Sequence, residues 1–352
     1  MRSLCLATLV VSVSIAGWAA DSKSQSGFPV DRSVDPCVDF YQFACNAWNA
    51  SHPIPGDQSR WGTFDELVER NRQTLRGILE KAEAGGPQRG TVDREIGDYY
   101  AACIDQAAAD AAGVDPIKPE LERIAALASE NELTDEFVHL HTLGVPAVFD
   151  FGSQVDRRDS AHRIASVRSA GLSLPDRDYY LKTDARSVKL REQFVAHAEA
   201  MFRLLDESPE AAAAKAKTVL SIETEFAKAT LDRVARRDPE KTYHKLTVHE
   251  LVSLDPGIDW PRYFQSFHAP AFETLNVTYP PYFRQMESLL VQQSLDDWKT
   301  YLAWQVTNAF APLLSKPFVA EEFRFSGGVL NGLREQPARW KRCVTLVDGQ
   351  LG

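Results

Sequence analysis

His249-Glu250-Leu251-Val252-Ser253 is the stretch of this 352-residue chain that comes nearest to a known catalytic pattern. In His-Glu-x-x-His on a helix, two imidazoles share one face and hold a zinc ion while the glutamate activates the attacking water. Here Ser253 stands where the second histidine is needed, and Asp255-Pro256-Gly257 stops the helix at once, so His249 reads as an exposed helix start. His139 and His141 are two apart, which on a helix turns them about 200° from each other, and no carboxylate cluster surrounds them in sequence. Asp176, Asp178, Glu223 and Glu225 are close in pairs, but carboxylates two apart on a helix diverge, and they read as a solvated face. The chain contains no Gly-x-Ser-x-Gly elbow and no Gly-x-x-x-x-Gly-Lys phosphate loop, and Gly327-Gly328 reads as a lone turn. On its residues alone the chain presents no complete active site.

The elements that would position these groups are mostly helical. After Asp35-Pro36, a cap and first helical residue, Phe40, Phe43, Ala44, Ala47 and Trp48 recur at helical spacing and predict one helix over 35–49. Thr63 with Glu66 makes a capping box for a helix carrying Phe64, Leu67, Val68, Leu75, Ile78 and Leu79 on one face. Ser208-Pro209-Glu210 opens another, with Val219, Ile222, Phe226 and Ala229 inside, and Ser294 with Asp297 opens a further one around Trp298, Leu302 and Val306. Val145 to Phe151 is the one stretch that reads clearly as a strand. The expected fold is mostly α, a multi-helix lobe with a small β element.

Composition narrows the class. The chain is 44% hydrophobic and 25% charged, as an ordinary globular protein is, and Lys+Arg 39 against Asp+Glu 49 leaves a net charge of −10. That balance lacks the basic excess needed to neutralise phosphates, which argues against a nucleic-acid partner. Residues 1–20 read as a signal peptide: Met1-Arg2, an apolar core from Leu4 to Ile15 too short to span a bilayer, and small residues for cleavage near Ala19 or Ala20. Residues 21–34 read as a disordered N-terminal segment. The expected location is secreted, periplasmic or extracellular, with no membrane span after cleavage. Cys5 falls in the signal, leaving Cys37, Cys45, Cys103 and Cys343, an even count that suggests disulfides. If 35–49 is one helix, Cys37 and Cys45 lie about 12 Å apart along its axis, beyond the roughly 7 Å Cα limit of a disulfide. Each could then pair with Cys103 or Cys343. Asn49-Ala50-Ser51 and Asn276-Val277-Thr278 are glycosylation sequons.

From Asp35 to Trp48 the run Asp-Pro-Cys-Val-Asp-Phe-Tyr-Gln-Phe-Ala-Cys-Asn-Ala-Trp resembles the opening of the neprilysin family of zinc metallopeptidases, a family that includes endothelin-converting enzymes and bacterial oligoendopeptidase O. Further similar stretches follow in order: Ser59 to Asp65 (SRWGTFD), Gly171 to Tyr180 (GLSLPDRDYY), Ile222 to Glu225, Arg237-Asp238-Pro239 to Tyr243, Asn276 to Pro280, and Trp340-Lys341-Arg342-Cys343. The resemblance implies that residues 35–352 are the N-terminal domain of such a peptidase, an all-α lid lobe that faces a catalytic lobe across a closed cavity. Enclosure of that kind excludes water and selects substrates by size. In the family the zinc motif, the third glutamate ligand and the transition-state histidine lie in the C-terminal part, and this chain stops at Gly352 before them.

The implied activity is therefore that of a secreted zinc metalloendopeptidase acting on oligopeptides, with zinc in the full-length enzyme and none bound by this chain. No residue of the chain is expected to be catalytic or a metal ligand, and its partners are a peptide substrate and the C-terminal catalytic domain. Arg60 matches an arginine that binds the peptide's C-terminal carboxylate, a task suited to a planar bidentate fork. The second such arginine of neprilysin matches Val68 here, which favours a looser oligopeptide preference. The resemblance also implies one Cys103–Cys343 bridge, with Cys37 and Cys45 as half-bridges to the C-terminal part and so unpaired here. The alternative is a non-catalytic secreted peptide-binding or partner-binding module. Either way, a lid lobe alone should leave apolar surface uncovered.

Overall fold

The computed structural model describes residues 30–86 and 88–352; the expected signal peptide, Cys5 and most of the 21–34 segment lie outside them. The chain forms two compact units, one ending at Ile54 and one running Pro55–Gly352. In the first, α1 spans Phe40–Ser51, starting later than Asp35-Pro36 suggests. Asp35 accepts the Cys37 N–H within a turn, and Asp39 is the true cap, accepting from the Gln42 N–H at 2.9 Å. The expected helix therefore begins after Cys37. The chain before it folds back, with the Asp31 N–H donating to the Phe43 carbonyl and the Asn46 side chain donating to Asp31. None of the α1 residues is buried.

The second unit opens with α2 (Thr63–Ala84), α3 (Thr91–Ile104), α4 (Gln106–Ala112), α5 (Lys118–Ala125) and α6 (Leu133–Thr142). After the hairpin of β1 (Phe149–Asp156) and β2 (Asp159–Ser169) come α7 (Asp178–Leu181), α8 (Ala185–Leu204) and α9 (Pro209–Lys228). Then follow β3 (Lys245–Thr247), α10 (Val248–Leu254), α11 (Trp260–Ser266), β4 (Thr274–Val277), α12 (Pro280–Gln292), α13 (Leu295–Phe310), α14 (Lys316–Glu322), a π-helix over Phe323–Leu330, and α15 (Arg339–Leu351).

Two helices form as their local signals dictate. Ser208 accepts the Ala211 N–H ahead of Pro209, and Val219, Ile222 and Phe226 are fully buried on α9. Ser294 accepts the Asp297 N–H, and Trp298, Leu302 and Val306 are fully buried on α13. The capping box expected at Thr63 is absent: Thr63 is the first helical residue, and Gly62 holds the cap position with no side-chain bond. Asp65 and Glu66 instead oppose the positive helix end.

The sheet has four strands in the order β1-β2-β4-β3, with β1/β2 and β3/β4 antiparallel and β2/β4 parallel. The expected 145–151 strand starts only at Phe149 because the backbone turns at Val148, whose φ is +64°. That conformation costs a β-branched residue energy. Its carbonyl is held by the Tyr282 hydroxyl at 2.5 Å and the Ala170 N–H at 2.9 Å. Asn276 of the second sequon lies on β4, is buried and is bonded to the main chain at His244 and Thr242, so its amide is not open to glycosylation in the folded chain. Asn49 is exposed.

One large core fills the second unit, with Phe137, Phe149, Trp260, Tyr263, Trp298 and Trp304 among its fully buried rings. Each such ring contributes roughly 1.5–3 kcal/mol of burial. A satellite core joins Leu79 of α2, Tyr100 of α3, and Cys343, Val344 and Val347 of α15.

Candidate functional site

The zinc near-miss is a cap. Thr247 accepts the Glu250 N–H at 3.1 Å and the Glu250 carboxylate accepts the Thr247 N–H at 2.7 Å, a complete capping box for α10. Ser253 donates back to the His249 carbonyl. His139 pairs with Glu120 at 2.5 Å, while His141 lies between the Tyr263 hydroxyl (2.6 Å) and the Ala147 carbonyl (2.9 Å). Burial lowers the His141 pKa, so it serves as a neutral link in the core. Among the described residues, no three His, Cys, Asp or Glu side chains are grouped so as to hold a metal ion. These side chains do not fit zinc, and no zinc chemistry is assigned to them.

The carboxylates expected on a solvated face divide. Asp178 pairs with Lys182 and Glu225 with Lys228 at the surface, but Glu223 and Asp176 are buried. Glu223 accepts the Ser173 N–H (3.1 Å), the Ser173 hydroxyl (2.6 Å) and the Tyr180 hydroxyl (2.5 Å). Burial pushes its pKa up to about 7 against those bonds. It is an anchor for the 171–180 turn, not half of an acid/base pair. Its burial is a tertiary effect, because spacing alone placed it beside Glu225.

A cleft of about 520 Å³ lies in the second unit between the Asp57–Ser59 segment, α15 and the π-helix. Lys341 ties two of its walls, reaching Asp57 at 2.9 Å and Glu69 at 3.1 Å. Gly327, expected as a turn, sits inside the π-helix, where a Cβ would come 2.3 Å from the Phe323 ring. Arg60 follows Ser59 of the cleft wall at the entrance to α2. Its side chain is 84% exposed, with Nε 3.4 Å from Asp65 as its ion pair. Val68 is half-exposed on the same helix.

Cys103 and Cys343 form a disulfide with Cα atoms 5.7 Å apart, and Cys37 (exposed) and Cys45 (partly buried) are free thiols. No described helix is long and apolar enough to cross a membrane.

This architecture has known counterparts. The model of peptidase family M13, taken from its N-terminal domain, matches residues 36–352. The chain belongs to peptidase family M13. It is similar to endothelin-converting enzyme 1 of Mus musculus, 29% identical over 336 residues that cover 92% of this chain and 43% of that enzyme. Neprilysin-3 of Drosophila melanogaster is 25% identical over 92% of the chain and 43% of that protein. Among solved structures, the zinc metalloprotease of Mycobacterium tuberculosis in complex with an inhibitor superposes with a TM-score of 0.84 at 31% identity, over 92% of this chain and 49% of that one. The M13 chain thus spans less than half the length of these relatives.

Proposed function

We propose that this M13 chain is the N-terminal, substrate-enclosing portion of a secreted zinc metalloendopeptidase acting on oligopeptides, completed by a C-terminal catalytic domain that supplies the zinc ligands. The observation that carries the reading is the apolar stripe of α2. It is covered by the satellite core at Leu75 and Leu79 but bare at Phe64 (82% exposed), Leu67, Val68 and Ile78. A soluble domain rarely leaves such a row uncovered without a partner for it. In this reading Arg60 offers its open guanidinium to the peptide's terminal carboxylate, and Cys37 and Cys45 await partners in the catalytic portion.

The test is a single-chain fusion of residues 36–352 to the second half of the M. tuberculosis protease. The fusion should bind one zinc and hydrolyse an unfolded oligopeptide in a chelator-sensitive manner, while the chain alone does neither. A folded, zinc-loaded fusion that cleaves no peptide would favour the non-catalytic binding module.

A further inference from the structure

The turn between β2 and α7 is held more firmly than a connection requires. The Gly171 carbonyl accepts from the Tyr301 hydroxyl (2.9 Å) and the Gln305 side chain (3.0 Å), and the Leu174 N–H donates to the Tyr180 hydroxyl at 2.7 Å. Gly171 lies at φ +78°, and a Cβ there would stand 2.4 Å from the Tyr301 oxygen. With the Glu223 bonds, these contacts fix the wall of an open pocket of about 260 Å³ lined by Ser169–Arg177, Thr230 and Arg236.

The charges around that cavity are unbalanced. Asp176 accepts from Arg236 at 2.9 Å and from the Asp178 N–H at 3.0 Å, with Arg233 3.7 Å away. Arg177 also lines the cavity, and its Nε is shielded from water with no hydrogen-bond partner. Asp232 carries a further negative charge near Arg177. Its carboxylate is occupied by the Val234 and Ala235 N–H groups of its own turn, and it feels Arg177 only through space. The cavity lining thus carries two guanidiniums, Arg177 and Arg236, against the one carboxylate of Asp176, which Arg233 approaches from outside the cavity. Unlike Arg236, Arg177 spends no guanidinium donor on a carboxylate among the described residues, and a preorganised wall spares the ligand the cost of ordering it.

We propose that this cavity is an oxyanion subsite that takes the carboxylate of an acidic peptide, with Arg177 as the binding donor and Arg236 held in place by Asp176. The choice of a peptide as the source of that carboxylate rests on the peptidase reading above.

Calorimetric titration of the full chain tests it with two acetylated, amidated peptides that differ only in Glu against Gln, and with inorganic phosphate as a competitor. The Glu peptide should bind about tenfold tighter than its Gln twin. Arg177→Met should abolish that preference and Arg177→Lys should restore part of it. Because the Arg177 side chain makes no hydrogen bond among the described residues and its carbonyl bond to the Tyr180 N–H is main-chain, Arg177→Met should fold, which circular dichroism checks; Arg233→Met, which leaves the Asp176–Arg236 bond in place, is the second variant and should weaken the preference. Equal or absent binding of the two peptides overturns the proposal, as does a preference that survives Arg177→Met. Phosphate displacing the Glu peptide supports the shared chemistry, whereas phosphate binding without Glu-peptide binding overturns the peptide assignment. None of these outcomes alters peptide hydrolysis by the fusion, so the two readings fail separately.

Discussion

A fully buried carboxylate that accepts three hydrogen bonds is pulled in two directions, and at Glu223 desolvation outweighs the donors and raises its pKa to about 7. Because the folded value lies above the ordinary 4.5, the stabilisation is complete below pH 4.5 and is lost as pH rises through 7. The thermal midpoint of the chain should therefore fall between pH 5 and pH 8, and the fall should be smaller in Glu223→Gln, which cannot ionise. Glu223→Ala strands the Ser173 and Tyr180 donors and should cost about 3 kcal/mol in urea unfolding. Asp255 behaves alike at higher pH. It is fully buried beside Glu287, and burial first, then the Glu287 carboxylate, pushes its pKa up to about 9. Neither Asp255 carboxylate oxygen has a hydrogen-bond partner, and Glu287 accepts the Gly257 N–H at 2.6 Å. A second loss of stability as pH rises through 9 should appear in the wild type and be absent in Asp255→Asn.

At the scale of elements, α2, α3 and α15 form a small assembly pinned by the Cys103–Cys343 bridge, whose ends are 240 residues apart in sequence. Closing a loop of that length stabilises by about 5 kcal/mol in the chain-entropy model, so Cys103→Ser should lower the thermal midpoint by many degrees, as should reductant. Helices α2 and α3 meet closely at Gly97, where a Cβ would lie 2.7 Å from the Ala82 carbonyl carbon. Gly97→Ala should cost about 1–3 kcal/mol, measurable by the same unfolding. These contacts also mark what the sequence made legible. Helices α9 and α13 were readable because cap, first-turn residue and buried stripe all lie within one element. The box at Thr63 was not, since Gly62 takes the cap, and the same pattern forms instead at Thr247, where Glu250 belongs to the zinc-like His249-Glu250 pair. Glu223, Asp176 and Lys341 escaped because their partners come from distant elements, which spacing cannot reveal.

For the whole molecule, burial decides what is finished and what is open. The largest rings of the large core are fully buried, but the N-terminal turns of α2 present Phe64, Leu67 and Val68 to solvent. In the chain alone, Phe64→Ser and Leu67→Ser should change stability by less than about 0.5 kcal/mol, the range of surface substitutions, and should reduce any self-association seen in sedimentation. In the fusion with the second half of the M. tuberculosis protease, the same changes should weaken the union of the halves. Hydrogen–deuterium exchange over residues 63–78 is the most direct measurement of the central claim, comparing the chain alone with the zinc-loaded fusion. The account predicts that the stretch exchanges fast in the chain and becomes protected in the fusion. Unchanged exchange there, in a fusion that is folded and holds zinc, would contradict it.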